Sequence, residues 1–163
     1  MSRLNYFASD TVLEEQSNPY VRLLSVNQAL ELGIEVELDL FDDDFDKDEP
    51  DVILFCTDET KLEYPNIYSI NKEEYYDDIG TSKQFCTALE WNYSEYTVDV
   101  VLKYIQNHIK IASELELWSV WLGGEELPTN MKKTQCKLSD LTVEQLKKLY
   151  ISELDFQCLV VVK

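Results

Sequence analysis

The segment at residues 94–122, SEYTVDVVLKYIQNHIKIASELELWSVWL, decides the fold because it joins a helix pattern to a strand pattern. Ser94 is a good N-cap residue, and Glu95 follows it at the positive end of the helix dipole. The apolar side chains after them recur at spacings of three and four, which places them on one side of a helix: Val98, Val101, Leu102, Ile105 and Ile109. We therefore predict a long amphipathic helix over about 94–113.

The second part of this segment, residues 115–122, has the pattern of a strand. Leu117 and Trp121 point to one face of such a strand, and Trp118 and Val120 point to the other. Because large apolar side chains occur on both faces, we expect both faces of this strand to be covered.

Outward from this segment, two capping boxes predict two shorter helices. Ser25 pairs with Gln28 in the first box, and Thr142 pairs with Gln145 in the second. We expect the first helix to end at Gly33, which is a natural C-cap. Its buried side is predicted to consist of Ala29, Leu30 and Leu32.

The remaining apolar runs predict strands, and the run at residues 51–56 is continuous enough to be a buried one. Several successive strands are close enough along the chain for antiparallel pairing. We therefore predict an α+β fold with a mainly antiparallel sheet, packed as a single domain over residues 1–163. The predicted strands are 4–7, 21–24, 51–56, 67–70, 84–91, 115–122, 134–138 and 156–162.

Charge is the strongest compositional feature. The 163 residues include 32 acidic and 14 basic side chains, a formal net charge of −18. Such a surface repels nucleic-acid phosphate, so direct DNA or RNA binding is not expected. No apolar run reaches the length of a membrane span, and the first residues do not resemble a signal peptide. These features predict a cytoplasmic protein.

The negative charge is concentrated in the first half of the chain. Residues 1–82 have a net charge of −16, whereas residues 83–163 have a net charge of −2. Half of the total lies in a predicted acidic loop at about 35–51, and a second acidic group follows at 73–78. One interpretation is a solvated loop that keeps the protein soluble. The other is a docking surface for a cationic protein, which the interleaved aromatic residues favour. The candidate partner-binding residues are Asp42, Asp43, Asp44, Asp46, Asp48, Tyr75, Tyr76, Asp77 and Asp78.

Metal binding at the acidic loop can be examined by spacing. Asp42, Asp44 and Asp46 match the opening of an EF-hand loop. The sixth position of such a loop requires glycine and is Lys47 here, while the twelfth requires glutamate and is Ile53. A dedicated metal site is therefore not predicted, although weak, nonspecific Ca²⁺ or Mg²⁺ binding stays open as an alternative.

Catalytic patterns are lacking in the sequence. The four cysteines, Cys56, Cys86, Cys136 and Cys158, lie singly in apolar runs and are expected to be buried thiols of a reducing compartment. His108 is the only histidine and has no acidic neighbour within two residues. No glycine-rich phosphate-binding loop occurs. We therefore predict no enzymatic activity, no catalytic residue and no cofactor.

In its second half the chain resembles the small acidic immunity proteins of bacterial polymorphic-toxin systems. The resemblance lies in the order of the FCTALEW strand at 85–91, the helix after Ser94 and the ELELWSVWL strand at 114–122. It implies a non-catalytic protein that neutralises a cationic partner such as a nuclease toxin. The alternatives are a DNA mimic or other regulatory inhibitor of a nucleic-acid enzyme, and a small enzyme.

Overall fold

In the computed structural model the described residues are 2–37, 42, 44–71, 80–122, 132–151 and 156–163. They contain eight strands, three α-helices and two short 3₁₀ turns. The strands are β1 (Ser2–Ser9), β2 (Val21–Leu24), β3 (Ile53–Cys56), β4 (Asn66–Ser69), β5 (Phe85–Glu90), β6 (Glu114–Leu122), β7 (Lys132–Lys137) and β8 (Phe156–Val162). The helices are α1 (Val26–Glu31), α2 (Glu95–Ile111) and α3 (Val143–Ile151). The predicted α+β fold, with one long and two shorter helices, is confirmed.

Six strands form one sheet in the order β4-β5-β1-β6-β8-β7. All neighbours pair antiparallel except β7 and β8, which pair parallel because α3 carries the chain back between them. The prediction of a mainly antiparallel sheet is therefore confirmed. β2 and β3 form a separate two-stranded antiparallel sheet.

The chain divides into two compact units, and each of them is described by itself below. The first unit consists of Met1–Ser17 and Tyr64–Lys163, and it contains the six-stranded sheet with α2 and α3. The second unit, Asn18–Glu63, contains α1 and the two-stranded sheet. The organisation as one domain stays a prediction.

The predicted apolar stripe of α2 is the centre of the larger core. Val98, Val101, Ile105 and Ile109 are buried, and they belong to one cluster with sheet residues such as Leu117. The Ser94 hydroxyl accepts the Thr97 N–H at 3.1 Å, which satisfies one of the unpaired amides of the first turn. The polar side of the helix is exposed, as its sequence predicts, at Asp99, Lys103, Gln106, Asn107 and Lys110.

The opposite face of the sheet is also buried, which confirms the prediction that β6 is covered on both faces. Trp118 is fully buried there, and its ring stacks on that of Tyr6 with centroids 5.8 Å apart. Phe156 and Cys158 of β8 belong to the same cluster. Within the described residues, no helix is both long and apolar enough to cross a membrane.

In the second unit, two of the buried positions predicted from the sequence are wrong. Ala29 of α1 is buried, but Leu30 and Leu32 are 42% and 56% exposed. The strand at residues 51–56 is not a buried one either, because β3 begins only at Ile53 and Leu54 is 58% exposed. An apolar run indicates which side chains favour burial, but it does not supply a surface that covers them.

Candidate functional site

Four of the predicted partner-binding residues lie in the second unit. Asp42, Asp44, Asp46 and Asp48 are all exposed there. This unit contains 14 acidic and three basic residues, a net charge of −11 in 46 residues. The other five candidates, Asp43, Tyr75, Tyr76, Asp77 and Asp78, lie outside the described residues.

Hydrogen bonds fix part of this acidic segment to the start of α1. The Asn27 side-chain amide donates to Asp48 Oδ1 at 2.8 Å, and the Asn27 N–H donates to the Lys47 carbonyl at 3.0 Å. Asp46 Oδ1 accepts the Asp48 N–H at 2.9 Å, which closes a local turn. Asp46 and Asp48 therefore have local structural partners, and their charge stays on the surface.

Asp42, Asp44, Asp46 and Asp48 form no ion pair with any described residue. The ion pairs seen among the described residues are Lys83–Asp10, Lys83–Glu114 and Lys133–Glu116, and all of them lie in the first unit. An unpaired exposed carboxylate keeps its full charge available to an incoming cation.

Exposed leucines accompany this charge, and sequence reasoning missed them. Leu23 of β2 and Leu54 of β3 are direct cross-strand partners, and they are 52% and 58% exposed. Leu30, Leu32 and Leu62 of the same unit are also exposed. Leu23 and Leu54 share one face of the two-stranded sheet, because opposed residues of an antiparallel pair point to the same side. Their exposure could not be read from the sequence.

Charge has a different role in the first unit, where Glu116 is only 5% exposed. Its carboxylate accepts hydrogen bonds from Thr81 Oγ1 at 2.5 Å, Trp118 Nε1 at 2.7 Å and Lys133 Nζ at 3.0 Å. Burial alone would raise the pKa of Glu116, but these three donors and the Lys133 charge lower it below its usual value. The group is a satisfied structural carboxylate.

His108 is buried, with 5% of its surface exposed. Its Nε2 lies 2.9 Å from Ser9 Oγ, and burial lowers the pKa of the imidazole. A serine within this distance of a histidine has the spacing of a nucleophile and its base. Ser9 is only 1% exposed, however, and a nucleophile must touch its substrate. The pair therefore has the geometry of an internal hydrogen bond.

The cysteines match the sequence prediction in part. Cys86 and Cys158 are buried, whereas Cys56 and Cys136 are half-buried. Burial raises the pKa of the Cys158 thiol, and it also raises that of Cys136. A thiol with a raised pKa is a poor nucleophile at neutral pH. Across the described part of the chain, no group of three or more His, Cys, Asp or Glu side chains is arranged to hold a metal ion.

Comparisons of the chain with protein-family models, with curated proteins and with solved structures find no match. The resemblance to immunity proteins therefore stays a prediction.

Proposed function

We propose that the protein binds a cationic protein partner through its second unit and acts as a non-catalytic inhibitor of the immunity-protein kind. One observation carries this proposal. The second unit exposes carboxylates that have no ion-pair partner among the described residues, together with large apolar side chains. Either feature alone is common on protein surfaces, but their combination is typical of a surface that binds.

The carboxylates would act mainly on the rate of association. A net charge of −11 in 46 residues produces a field that attracts a cationic surface before contact. This attraction weakens as salt screens it, over about 10 Å at 0.1 M ionic strength.

The leucines would act mainly on the rate of dissociation. Leu23 and Leu54 form one apolar pair on the two-stranded sheet. Since about half of each side chain is already buried, a contact that covers the rest contributes about 1 kcal/mol per leucine. Their burial by a partner would slow release without depending on salt.

A nuclease toxin fits this description of the partner. An enzyme that holds nucleic-acid phosphate needs a cationic surface. An acidic protein that occupies this surface excludes the substrate from it, and no catalytic group of the inhibitor is required.

The test begins with the full chain as bait in a lysate of its native cell. A variant that combines Asp42→Asn with Asp44→Asn removes two exposed charges that have no side-chain partner among the described residues. The matched control combines Asp99→Asn with Glu144→Gln, which removes two exposed charges from the first unit. We expect a cationic protein to be captured by the wild type and the control and to be depleted with the first variant.

The purified partner then gives the kinetic test. Asp42→Asn with Asp44→Asn should lower the association rate by roughly 3–10-fold at low salt and flatten its salt dependence. Leu23→Ser with Leu54→Ser should raise the dissociation rate, whereas Val12→Ser, at an exposed residue of the first unit, should leave it unchanged. The proposal is wrong if the captured protein is acidic, or if neither pair of substitutions changes its binding.

A further inference from the structure

The two edges of the six-stranded sheet differ in how their backbone groups are used. At the β4 edge, Gln16 and Ile67 exchange two backbone hydrogen bonds of 2.8 and 2.7 Å, and Glu15 Oε1 accepts the Ser69 N–H at 3.1 Å. At the other edge, β7 pairs only with β8 among the described residues. An unpaired edge presents a row of N–H and C=O groups to which another strand can add. We call β7 the open edge of this sheet.

The open edge is accessible along most of its length. Lys133, Thr134, Gln135 and Lys137 are exposed, and no backbone group of Lys132–Lys137 hydrogen bonds to a described residue outside β8. Successive residues of a strand direct their N–H and C=O groups to opposite sides, so about half of the six residues of β7 present these groups to solvent. A short extended peptide can therefore pair with this strand.

Basic side chains surround the open edge in an otherwise acidic chain. Residues 132–151, which include β7 and α3, contain five basic and two acidic residues, a net charge of +3. Lys133 already has a partner, because its Nζ lies 3.0 Å from Glu116 Oε1. Lys137 and Lys148 are exposed and form no ion pair with a described residue. Salt screens charges beyond about 10 Å at 0.1 M ionic strength, so an incoming strand responds mainly to these nearby lysines.

A cavity of about 200 Å³ adjoins the open edge. It is lined by residues of α3, β7 and β8, among them Thr134, Gln145 and Lys148. Gln145 Oε1 accepts the Thr142 N–H at 2.8 Å, whereas the NH₂ group of Gln145 has no hydrogen bond to a described residue. Pockets for drug-sized ligands usually have volumes of about 300–1,000 Å³, so this cavity has the size for one side chain. Its amide and ammonium donors match a carboxylate.

A second copy of β7 does not fit the open edge. Antiparallel pairing of two β7 strands centred on Gln135 would place Lys133 of each copy opposite Lys137 of the other. Like charges that face each other across a strand pair destabilise it, and lysine on an edge strand is a common protection against self-association. An acidic strand, in contrast, would meet these lysines as favourable partners.

We propose that the open edge binds an extended acidic segment of another protein, which adds to the sheet as a further strand beside β7. Main-chain hydrogen bonds would supply the affinity, and alternate side chains would supply the specificity. Lys137 and Thr134 lie on opposite faces of β7, because they are an odd number of residues apart. Acidic side chains on one face of the added strand would therefore meet Lys137, and those on the other would meet Lys148 at the cavity. This site lies in the first unit and is independent of the proposed function of the second.

The probe for this site is the peptide acetyl-Thr-Glu-Val-Glu-Glu-Val-Thr-amide. We would titrate it into the full chain and follow the backbone amide signals by NMR, together with their hydrogen exchange. The expected result is a saturable shift of the β7 signals and slower exchange at the β7 amides that face the open edge. Absence of binding, or protection confined to residues outside β7, would contradict the proposal.

Two further peptides separate the charge from the backbone pairing. The same peptide with glutamine in place of glutamate keeps the backbone donors and should bind about 10-fold more weakly. The acidic peptide with N-methyl groups on its three central residues keeps the charge but loses donors of the strand, and it should give no protection of β7. Binding of the N-methylated peptide as tight as that of the parent would overturn the proposal, because charge alone would then explain the contact.

Two variants locate the lysines that act. Lys137→Gln with Lys148→Gln should weaken the acidic peptide about 10-fold, since each exposed ion pair contributes modestly. Lys103→Gln with Lys110→Gln removes the same charge from the exposed side of α2 and is the matched control, which should bind as the wild type does. Circular dichroism checks that both variants fold. Equal weakening by the two variants would show a general effect of net charge and would contradict the proposal.

Sedimentation distinguishes the acidic segment from a second copy of the chain. We expect Lys137→Gln with Lys148→Gln to leave the oligomeric state of the full chain unchanged. A dimer that this variant strengthens would assign the open edge to a second copy, because the lysines would then be opposing its formation. That result would overturn the proposal.

Discussion

The two units of the chain use acidic residues in opposite ways. The first unit has a net charge of −7, and several of its carboxylates are tied to donors, as Glu116 is to Thr81, Trp118 and Lys133. The second unit has a net charge of −11, and Asp42 and Asp44 have no side-chain partner among the described residues. The apolar residues differ in the same sense, because Trp118 is fully buried whereas Leu54 is 58% exposed. Glu116 and Trp118 therefore stabilise the first unit, whereas Asp42, Asp44 and Leu54 of the second unit are presented to solvent.

The largest effect is expected from truncating the core of the first unit. Trp118→Ala removes a fully buried ring, its stacking on Tyr6 and its hydrogen bond to Glu116. We expect a loss of about 3–5 kcal/mol in the free energy of unfolding. Leu54→Ala in the second unit should change it by less than about 0.5 kcal/mol. Urea unfolding followed by circular dichroism measures both losses. Equal losses would show that the exposed Leu54 stabilises the fold as much as the buried Trp118 does.

Glu116→Gln should give the next largest effect, a loss of about 1–3 kcal/mol, because it weakens the bonds that this buried carboxylate accepts from Thr81, Trp118 and Lys133. The folded pKa of Glu116 is below its ordinary value of 4.5, so the stability from its charge is present above that value. This stability is lost as the pH falls through the folded pKa. The urea midpoint of the wild type should therefore fall more steeply than that of the variant as the pH is lowered below about 5.5. Asp99→Asn, at an exposed carboxylate, should keep the wild-type slope.

His108 provides a smaller, pH-dependent effect. Burial lowers its folded pKa below the ordinary value of 6.5, so the unfolded chain binds the proton more readily. Stability should then decrease as the pH falls from about 7.5 to about 5.5. His108→Gln should flatten this slope, which thermal unfolding at several pH values measures. A pH slope of His108→Gln equal to that of the wild type would contradict this role of the imidazole.

The smallest effect is expected at the exposed acids of the second unit. Asp42→Asn with Asp44→Asn should change the free energy of unfolding by less than about 0.5 kcal/mol, because neither side chain has a described partner. The same variant is the one expected to slow association with a cationic partner. Chemical unfolding distinguishes these roles, since a loss above about 1 kcal/mol would show that the charges stabilise the fold.

The sequence predicts the fold where a local pattern determines the structure. The helix after Ser94 and the strand that contains Trp118 have strong periodicity, and both form close to their predicted limits. The parallel pairing of β7 with β8 was not predicted, because the direction of a strand depends on how the chain returns to the sheet.

Parts of the candidate sites depend on contacts that a local pattern does not contain. The exposure of Asp42 follows from its charge, but that of Leu54 depends on the lack of a covering surface. The approach of His108 to Ser9 joins residues 99 positions apart, and no spacing rule predicts it.

The position of β1 in the sheet has a consequence for folding during synthesis. This strand is the first one described along the chain, yet it lies between β5 and β6. Its partners begin at Phe85 and Glu114, so the ribosome must add about 100 further residues before both are available. Until then the apolar residues of β1, including Tyr6 and Phe7, have no sheet to join. We therefore expect the six-stranded sheet to form late and slowly, as is typical of folds dominated by distant contacts, with chaperone binding to the growing chain as the observable sign.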